Sequence, residues 1–325
     1  MFVELPPEGP SGDRGAATEQ AEATSINRAV IRMHTTGYIQ TRAGEVFFQR
    51  RGGDEGVPLV CVHGGPGFTS HYLEPIFALS DSSPIITYDQ AGCGRSRREG
   101  ARKIFSVDGF IDELEDVRRE LGLEKMCLLG HSFGGLIVGE YALRYPERVE
   151  RIIFACVSID IPRWIEDGRR LVGSLSLMQR MLLREGERSG TTSSPEYLTA
   201  LSAYYRKHIY GCDEIPPEVR RSEAEADAQT YQIVWGTNEL VVDGMVKDYN
   251  LAPRLSSLRC PCLFMCGRND EATPEAHEYF ASLVPGAVLH VFEKSAHHPF
   301  ATEGKESIHV IREFVRAPLI GATRA

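Results

Sequence analysis

A mostly parallel, doubly wound α/β sheet carrying an inserted helical cap is the fold class this sequence predicts, on three observations. Short runs that are apolar throughout alternate with segments of helical periodicity, as parallel strands covered by helices on both faces require. From about Asp160 to Leu251 that alternation gives way to amphipathic helical sequence with no convincing strand. Beyond it strand and helix alternate again, so the stretch reads as an insertion between two strands of one sheet.

The 325 residues suffice for one large domain with such an insertion. Hydrophobic residues at 42% and charged residues at 25% are ordinary for soluble proteins, so the body of the chain has a core to bury. Residues 1–25 are rich in Pro, Gly, Ala and Glu and are expected to form a disordered tail. IRMHTTGYIQ and EVFFQRR then alternate about a turn at Arg42-Ala43-Gly44, which predicts an antiparallel hairpin. Pro58 to His63, Pro84 to Asp89 and Lys125 to Gly130 are the buried parallel strands. Phe110 to Leu121 and Gly134 to Tyr145 are helices, the second stopping before Pro146. Val149 to Val157 is a further strand, and the helical insertion follows with breaks at GERSGTTSSP and GCDEIPP. Pro261 to Gly267, His277 to Leu283, Ala287 to Phe292 and Glu306 to Val315 resume the strand–helix order. Residues 26–157 and 252–325 are therefore expected to form the core, and 158–251 a cap over the strand ends, where open α/β sheets bind ligands.

A formal net charge of -9 argues against nucleic acid as a partner, because that affinity rests on Lys and Arg neutralising phosphates. The first thirty residues contain no apolar signal core, and no apolar run approaches the roughly 18 residues of a membrane span, so no membrane partner is expected and the cytoplasm is the default location. Of the eight cysteines, Cys61 and Cys127 lie in buried strands. Cys260, Cys262 and Cys266 in RCPCLFMCG fit neither a redox pair nor a paired zinc site, and all are read as structural thiols. No metal or organic cofactor is implied, since His and Cys do not cluster at ligand spacings outside the loops that hold Ser132, Asp270 and His297. The sequence carries no signal for oligomeric state.

Gly130-His131-Ser132-Phe133-Gly134 lies directly between a buried strand and a helix. That is the setting of the nucleophile elbow of the α/β-hydrolase fold, in which glycines allow a strained turn that lifts a serine above the sheet. A serine hydroxyl needs a base to take its proton and an acid to orient the base, in the chain order Ser, Asp or Glu, His. Asp270 in GRNDEATP, just past a strand, and His297 in KSAHHPF supply them. Taken singly, Asp270 is readable as a helix N-cap and His297 as a surface residue; the order and topology of all three favour catalysis. His298 competes with His297, but Pro299 restricts it toward extended geometry. The oxyanion donors are expected to be the backbone amides of Phe133 and of Gly65, the latter in His63-Gly64-Gly65-Pro66-Gly67 at a strand end. No GxxxxGK[ST] is present, so the glycines do not form a phosphate loop.

HGGPG, DQAGCGRS, GHSFGG, GRNDEATP and SAHHPF together resemble the proline iminopeptidase (prolyl aminopeptidase) family of α/β-hydrolases, from about Thr36 to Val315. YQIVWGTNEL and DYNLAPRL look like that family's shorter, tricorn-interacting branch. The resemblance favours His297 as the base and implies removal of an N-terminal residue, often proline, from a small peptide or amino-acid amide substrate. It further implies carboxylates that pair with the free amine. Glu271, immediately after Asp270, matches one family position; the second falls on Ala226, so the neighbouring acids Glu225 and Asp227 are expected to serve, with Glu223 also adjacent. Glu239 either supports the cap or faces the pocket. Ala91 stands where Arg is frequent in the family, which is read as a loss of loop bracing. Trp164, Trp235, Tyr204 and Tyr205 lie in the cap, where aromatics more often pack than recognise a ligand. Two other readings stay open: the same machinery acting on an amide, ester or lactone of a small metabolite, and a catalytically silent binding protein, against which the intact Ser–Asp–His set argues.

Overall fold

The computed structural model describes residues 34–97 and 103–319. The tail expected over residues 1–25 lies outside them. β1 (His34–Thr41) and β2 (Gly44–Arg51) form the hairpin. β3 (Leu59–Val62), β4 (Ile85–Tyr88), β5 (Met126–His131), β6 (Val149–Ala155), β7 (Cys262–Gly267) and β8 (Val288–Phe292) complete a sheet of order β1-β2-β4-β3-β5-β6-β7-β8. β2 is antiparallel to β4, and every pair from β4 to β8 is parallel.

The period-two geometry of a strand sends alternate side chains to opposite faces, and both faces of this sheet are covered. Val60 and Val62 pack with residues of α1 (Val107–Glu120) and α2 (Phe133–Arg144), among them Leu114 and Ile137. Leu59 and Cys61 face the other way, onto Leu73 and Ile76 of a 3₁₀ helix, Ser70–Leu79. All residues of β3, β4, β5 and β7 are buried, which is why their sequence is apolar without alternation. Strand order reverses between β3 and β5, so the loops after these two strands diverge and leave a crevice at their C-terminal ends.

Between β6 and β7 run α3 (Ile161–Val172), α4 (Leu177–Ser189), α5 (Pro195–Tyr205), a π-helical turn (Arg206–Tyr210), α6 (Pro217–Ala224) and α7 (Ala228–Val234). The two expected breaks fall at Gly190 and Gly211, both left-handed. The helical reading does not hold to Leu251. After α7 the chain turns because Asn238 Oδ1 accepts the amides of Leu240 and Val241, local bonding that competes with a helix. α8 (Pro274–Ser282), α9 (Pro299–Thr302) and α10 (Gly304–Arg316) follow. All eight cysteines are free thiols. No helix among the described residues is long and apolar enough to cross a membrane.

The loop after β4 is braced without an arginine at position 91. Buried Asp89 accepts from the Ser70 amide and hydroxyl and from Arg95, which also stacks on Phe47. Ala91 donates its amide to Glu113 Oε2 at 2.8 Å, and Glu113 Oε1 has no partner. Burial pushes the Glu113 carboxyl up to about 8 from an unfolded value near 4.5. The folded state therefore holds a proton that the unfolded state releases between these values, so this group's stabilising protonation is complete below pH 4.5 and is lost as pH rises through 8. Glu113→Gln is expected to flatten the fall of melting temperature across that window and to raise stability at pH 9 by about 1–3 kcal/mol, measured by thermal melts of both proteins.

Candidate active site

Two loops meet in the crevice between β3 and β5. The elbow after β5 holds Ser132 at φ 54°, ψ -123°, a conformation a non-glycine residue keeps only when its surroundings impose it. Its amide donates to Ala155 of β6. A Cβ on Gly134 would stand 2.3 Å from the Val62 carbonyl oxygen, so only glycine lets α2 start this close to β3. From the other side Gly64 comes so near that a Cβ on it would lie 2.5 Å from the Ser132 Cβ. The loop after β3 thus lies directly against the serine, and both Gly64 and Gly65 line the cavity it opens into.

The Gly64 amide is taken, donating to Tyr72 Oη at 2.6 Å. The Gly65 amide and that of Phe133, the first residue of α2, have no acceptor among the described residues. The Phe133 amide also carries the positive end of the helix. These are the two donors the sequence singles out.

His297 Nδ1 donates to Asp270 Oδ1 at 2.7 Å, and both residues are buried. Oδ1 also accepts the Ala272 amide. Burial pushes the Asp270 carboxyl up, but the facing imidazole, through charge and hydrogen bond, holds it below its usual value. With Nδ1 so engaged, Nε2 is the His297 atom available to Ser132, which lines the same cavity. His298 has no such carboxylate. It stacks on His131 with centroids 5.5 Å apart, and burial, with the two neighbouring imidazoles, holds it well below its usual value, so it stays neutral.

His131, between the elbow glycine and Ser132, ties the two loops together. Its Nε2 faces the His297 carbonyl at 2.8 Å and must donate, so Nδ1 accepts from Tyr72 Oη at 3.0 Å. Burial pushes His131 down to about 3, which keeps this single tautomer. A chain of hydrogen bonds therefore runs from the Gly64 amide through Tyr72 and His131 to the backbone of His297. Among the described residues, His131, Cys156 and His297 form the trio whose ligand atoms, all within 4.8 Å, lie close enough to share a metal ion. Both His131 nitrogens and His297 Nδ1 are already engaged in hydrogen bonds.

The cavity holds about 350 Å³ and is lined by three carboxylates, Glu223, Glu239 and Glu271, and by no Lys or Arg among the described residues. Glu271 is 3% exposed, and its Oε2 has no partner. Burial, then the charges of Glu239 and Asp270, raise it well above the carboxylate range. Glu239 is raised by burial as well and accepts Tyr231 Oη at 2.7 Å. A carboxylate raised by a neighbouring carboxylate's charge, with no described Lys or Arg in the cavity, forms with it a site that a positively charged group would stabilise.

Glu225 and Asp227, expected at the amine, are engaged elsewhere. The chain between α6 and α7 makes Asp227 the N-cap of α7, accepting from Gln229 and Thr230, and Lys103 pairs with it at 2.9 Å. Glu225 turns to Arg221 at 3.1 Å. Ala226 is the residue of this segment that faces the cavity, together with Glu223. Of the cap aromatics, Tyr205 lines the cavity, joined by Tyr231, whereas Trp164 donates to the Glu239 carbonyl and packs edge-on against Trp235. The sequence reading missed Tyr231, Tyr72 and Phe68. Tyr231 opens the YQIVWGTNEL run, and helical spacing could not have signalled its bond to Glu239, because the helix ends at Val234 and the chain turns before Glu239.

The sheet, the strained elbow and the imidazole–carboxylate pair define a serine hydrolase of the α/β-hydrolase class. A family model described as alpha/beta hydrolase fold matches residues 57–304. The chain is 37% identical to a proline iminopeptidase of Heyndrickxia coagulans over 88% of its own length and 100% of that protein. It superposes with TM-score 0.79 on the crystal structure of a Mycobacterium smegmatis proline iminopeptidase, 29% identical, covering 86% of this chain and 97% of that one. The crystal structure of VinJ gives TM-score 0.81 at 27% identity, covering 86% and 98%. The chain belongs to the proline iminopeptidase family of α/β-hydrolases.

Proposed function

We propose that this protein removes the N-terminal residue, with preference for proline, from short peptides or amino-acid amides, through an acyl-enzyme on Ser132. The observation that carries this reading is the pair of buried Glu271 and half-buried Glu239 in the cavity that Ser132 and His297 line. A protonated prolyl nitrogen has two N–H donors and one positive charge. Each carboxylate receives one donor, and the charge relieves the repulsion that keeps both from ionising. An N-acylated substrate offers neither, so the same pair rejects internal peptide bonds. Tyr205, Tyr231 and Ile209 supply apolar walls for the ring.

His297 Nε2 takes the Ser132 proton as Oγ attacks the carbonyl carbon, and Asp270 holds the imidazole by Nδ1 and balances its charge. The Gly65 and Phe133 amides receive the oxyanion. His297 then protonates the departing amine, and water, deprotonated by the same imidazole, releases the acyl group. The insertion 158–251 acts as the cap, since it contributes Tyr205, Glu223, Tyr231 and Glu239 to the cavity over the strand ends.

The test is a rate comparison of proline p-nitroanilide with N-acetyl-proline p-nitroanilide. The free-amine substrate is expected to react at least about 1,000-fold faster in kcat/KM, the size of a lost buried charge pair. Equal rates would assign the machinery to an amidase or esterase indifferent to the amine.

A further inference from the structure

The third carboxylate of the cavity is not used by this reaction. Glu223, on α6, accepts Tyr210 Oη at 2.8 Å through Oε1, which fixes the orientation of the carboxylate. No Lys, Arg or His among the described residues lies within ion-pair distance of it, although Glu225 and Asp227 on the same stretch both have such partners. Glu223 reaches the cavity from α6, whereas Glu239 comes from the chain after α7 and Glu271 from the loop after β7. α6 is pinned beside the loop after β3, where Ser222 Oγ accepts the Thr69 amide and donates to the Thr69 carbonyl. Tyr205, a cavity residue, stands edge-on to Tyr210 with ring centroids 6.3 Å apart. An oriented carboxylate with no ion-pair partner, beside aromatic rings in a cavity that no described Lys or Arg lines, is the composition of an ammonium or guanidinium subsite.

We propose that Glu223, oriented by Tyr210, is a specificity residue that receives a second positive charge of the substrate, the ammonium or guanidinium of a basic residue, while Glu239 and Glu271 hold the terminal amine. This rests on the aminopeptidase reading. The charge comes from the side chain of either the first or the second residue, and the two sources are separable. Burial, which outweighs the Tyr210 hydrogen bond and the charge of Arg220 in raising Glu223, adds to the gain when a cation arrives.

The experiment measures kcat/KM on two matched pairs: Pro-Lys against Pro-norleucine, and lysine p-nitroanilide against norleucine p-nitroanilide. Norleucine keeps the aliphatic stem and removes the charge. The basic member of one pair is expected to be preferred about tenfold or more, and the preference to vanish in Glu223→Gln and to shrink in Tyr210→Phe, which keeps the charge but frees the carboxylate. Ratios near one in both pairs, or a ratio that Glu223→Gln leaves unchanged, overturn the subsite while prolyl turnover persists. Absence of turnover on every free-amine substrate overturns the aminopeptidase reading instead. The subsite is then read by calorimetric binding of the same Pro-Lys and Pro-norleucine dipeptides to Ser132→Ala, where equal affinities overturn it too.

Discussion

Ser132→Ala is expected to lower kcat on proline p-nitroanilide by roughly 10⁵-fold or more while leaving the circular dichroism spectrum unchanged. The magnitude follows from the arrangement. Asp270 and His297 are prepositioned at 2.7 Å, but without the hydroxyl they have no proton to move, and only the oxyanion donors and the bound geometry remain. The fold is insensitive because the Ser132 side chain caps no helix amide, and the elbow is held by its backbone and by the glycines around it. Labelling by a fluorophosphonate should occur in the unmodified protein and be absent in the variant. Retention of a tenth or more of the wild-type rate would remove Ser132 from the mechanism.

Glu271→Gln is expected to move activity and stability in opposite directions. Turnover of proline p-nitroanilide should fall about 100-fold in kcat/KM, because the prolyl ammonium then faces one carboxylate instead of two, a loss of about 2–3 kcal/mol. Discrimination against N-acetyl-proline p-nitroanilide should shrink by the same factor. At neutral pH the melting temperature should rise, because the substitution removes a carboxylate that burial, Glu239 and Asp270 together make costly to ionise. A packing role alone would lower both quantities, so the opposed signs separate recognition from structure. Unchanged discrimination between free and acylated amines would mean that the amine is held elsewhere.

The architecture was readable because its physical causes are local. β3, β4, β5 and β7 are buried on both faces, and a strand so placed must be apolar at every position. The breaks at Gly190 and Gly211 were visible because few other residues adopt the left-handed conformation. The stretch after α7 was misread as helix because its turn depends on the Asn238 side chain bonding two amides ahead, and helical periodicity does not register that competition. Ser132, Asp270 and His297 stood out because each lies in a loop at a strand's C-terminal end, so topology alone brings them to one edge of the sheet.

The acids proposed to hold the amine mark the boundary between what the sequence by itself determined and what only the tertiary structure decided. Composition and chain order determined the sheet and singled out Ser132, Asp270 and His297 as candidates; they also placed Glu271 beside Asp270. Which cap carboxylates enter the cavity was not determined, since Glu223, Glu225, Asp227 and Glu239 are alike in charge and near one another in the chain. The fold separated them through their partners: Asp227 became a helix cap paired with Lys103, Glu225 met Arg221, and Glu223 and Glu239 accept from tyrosine hydroxyls with no ion-pair partner among the described residues. A carboxylate paired with a cation has no need of a ligand's charge, whereas one that faces a cavity with only a hydroxyl partner does, and that difference arises from contacts between segments that no local pattern encodes.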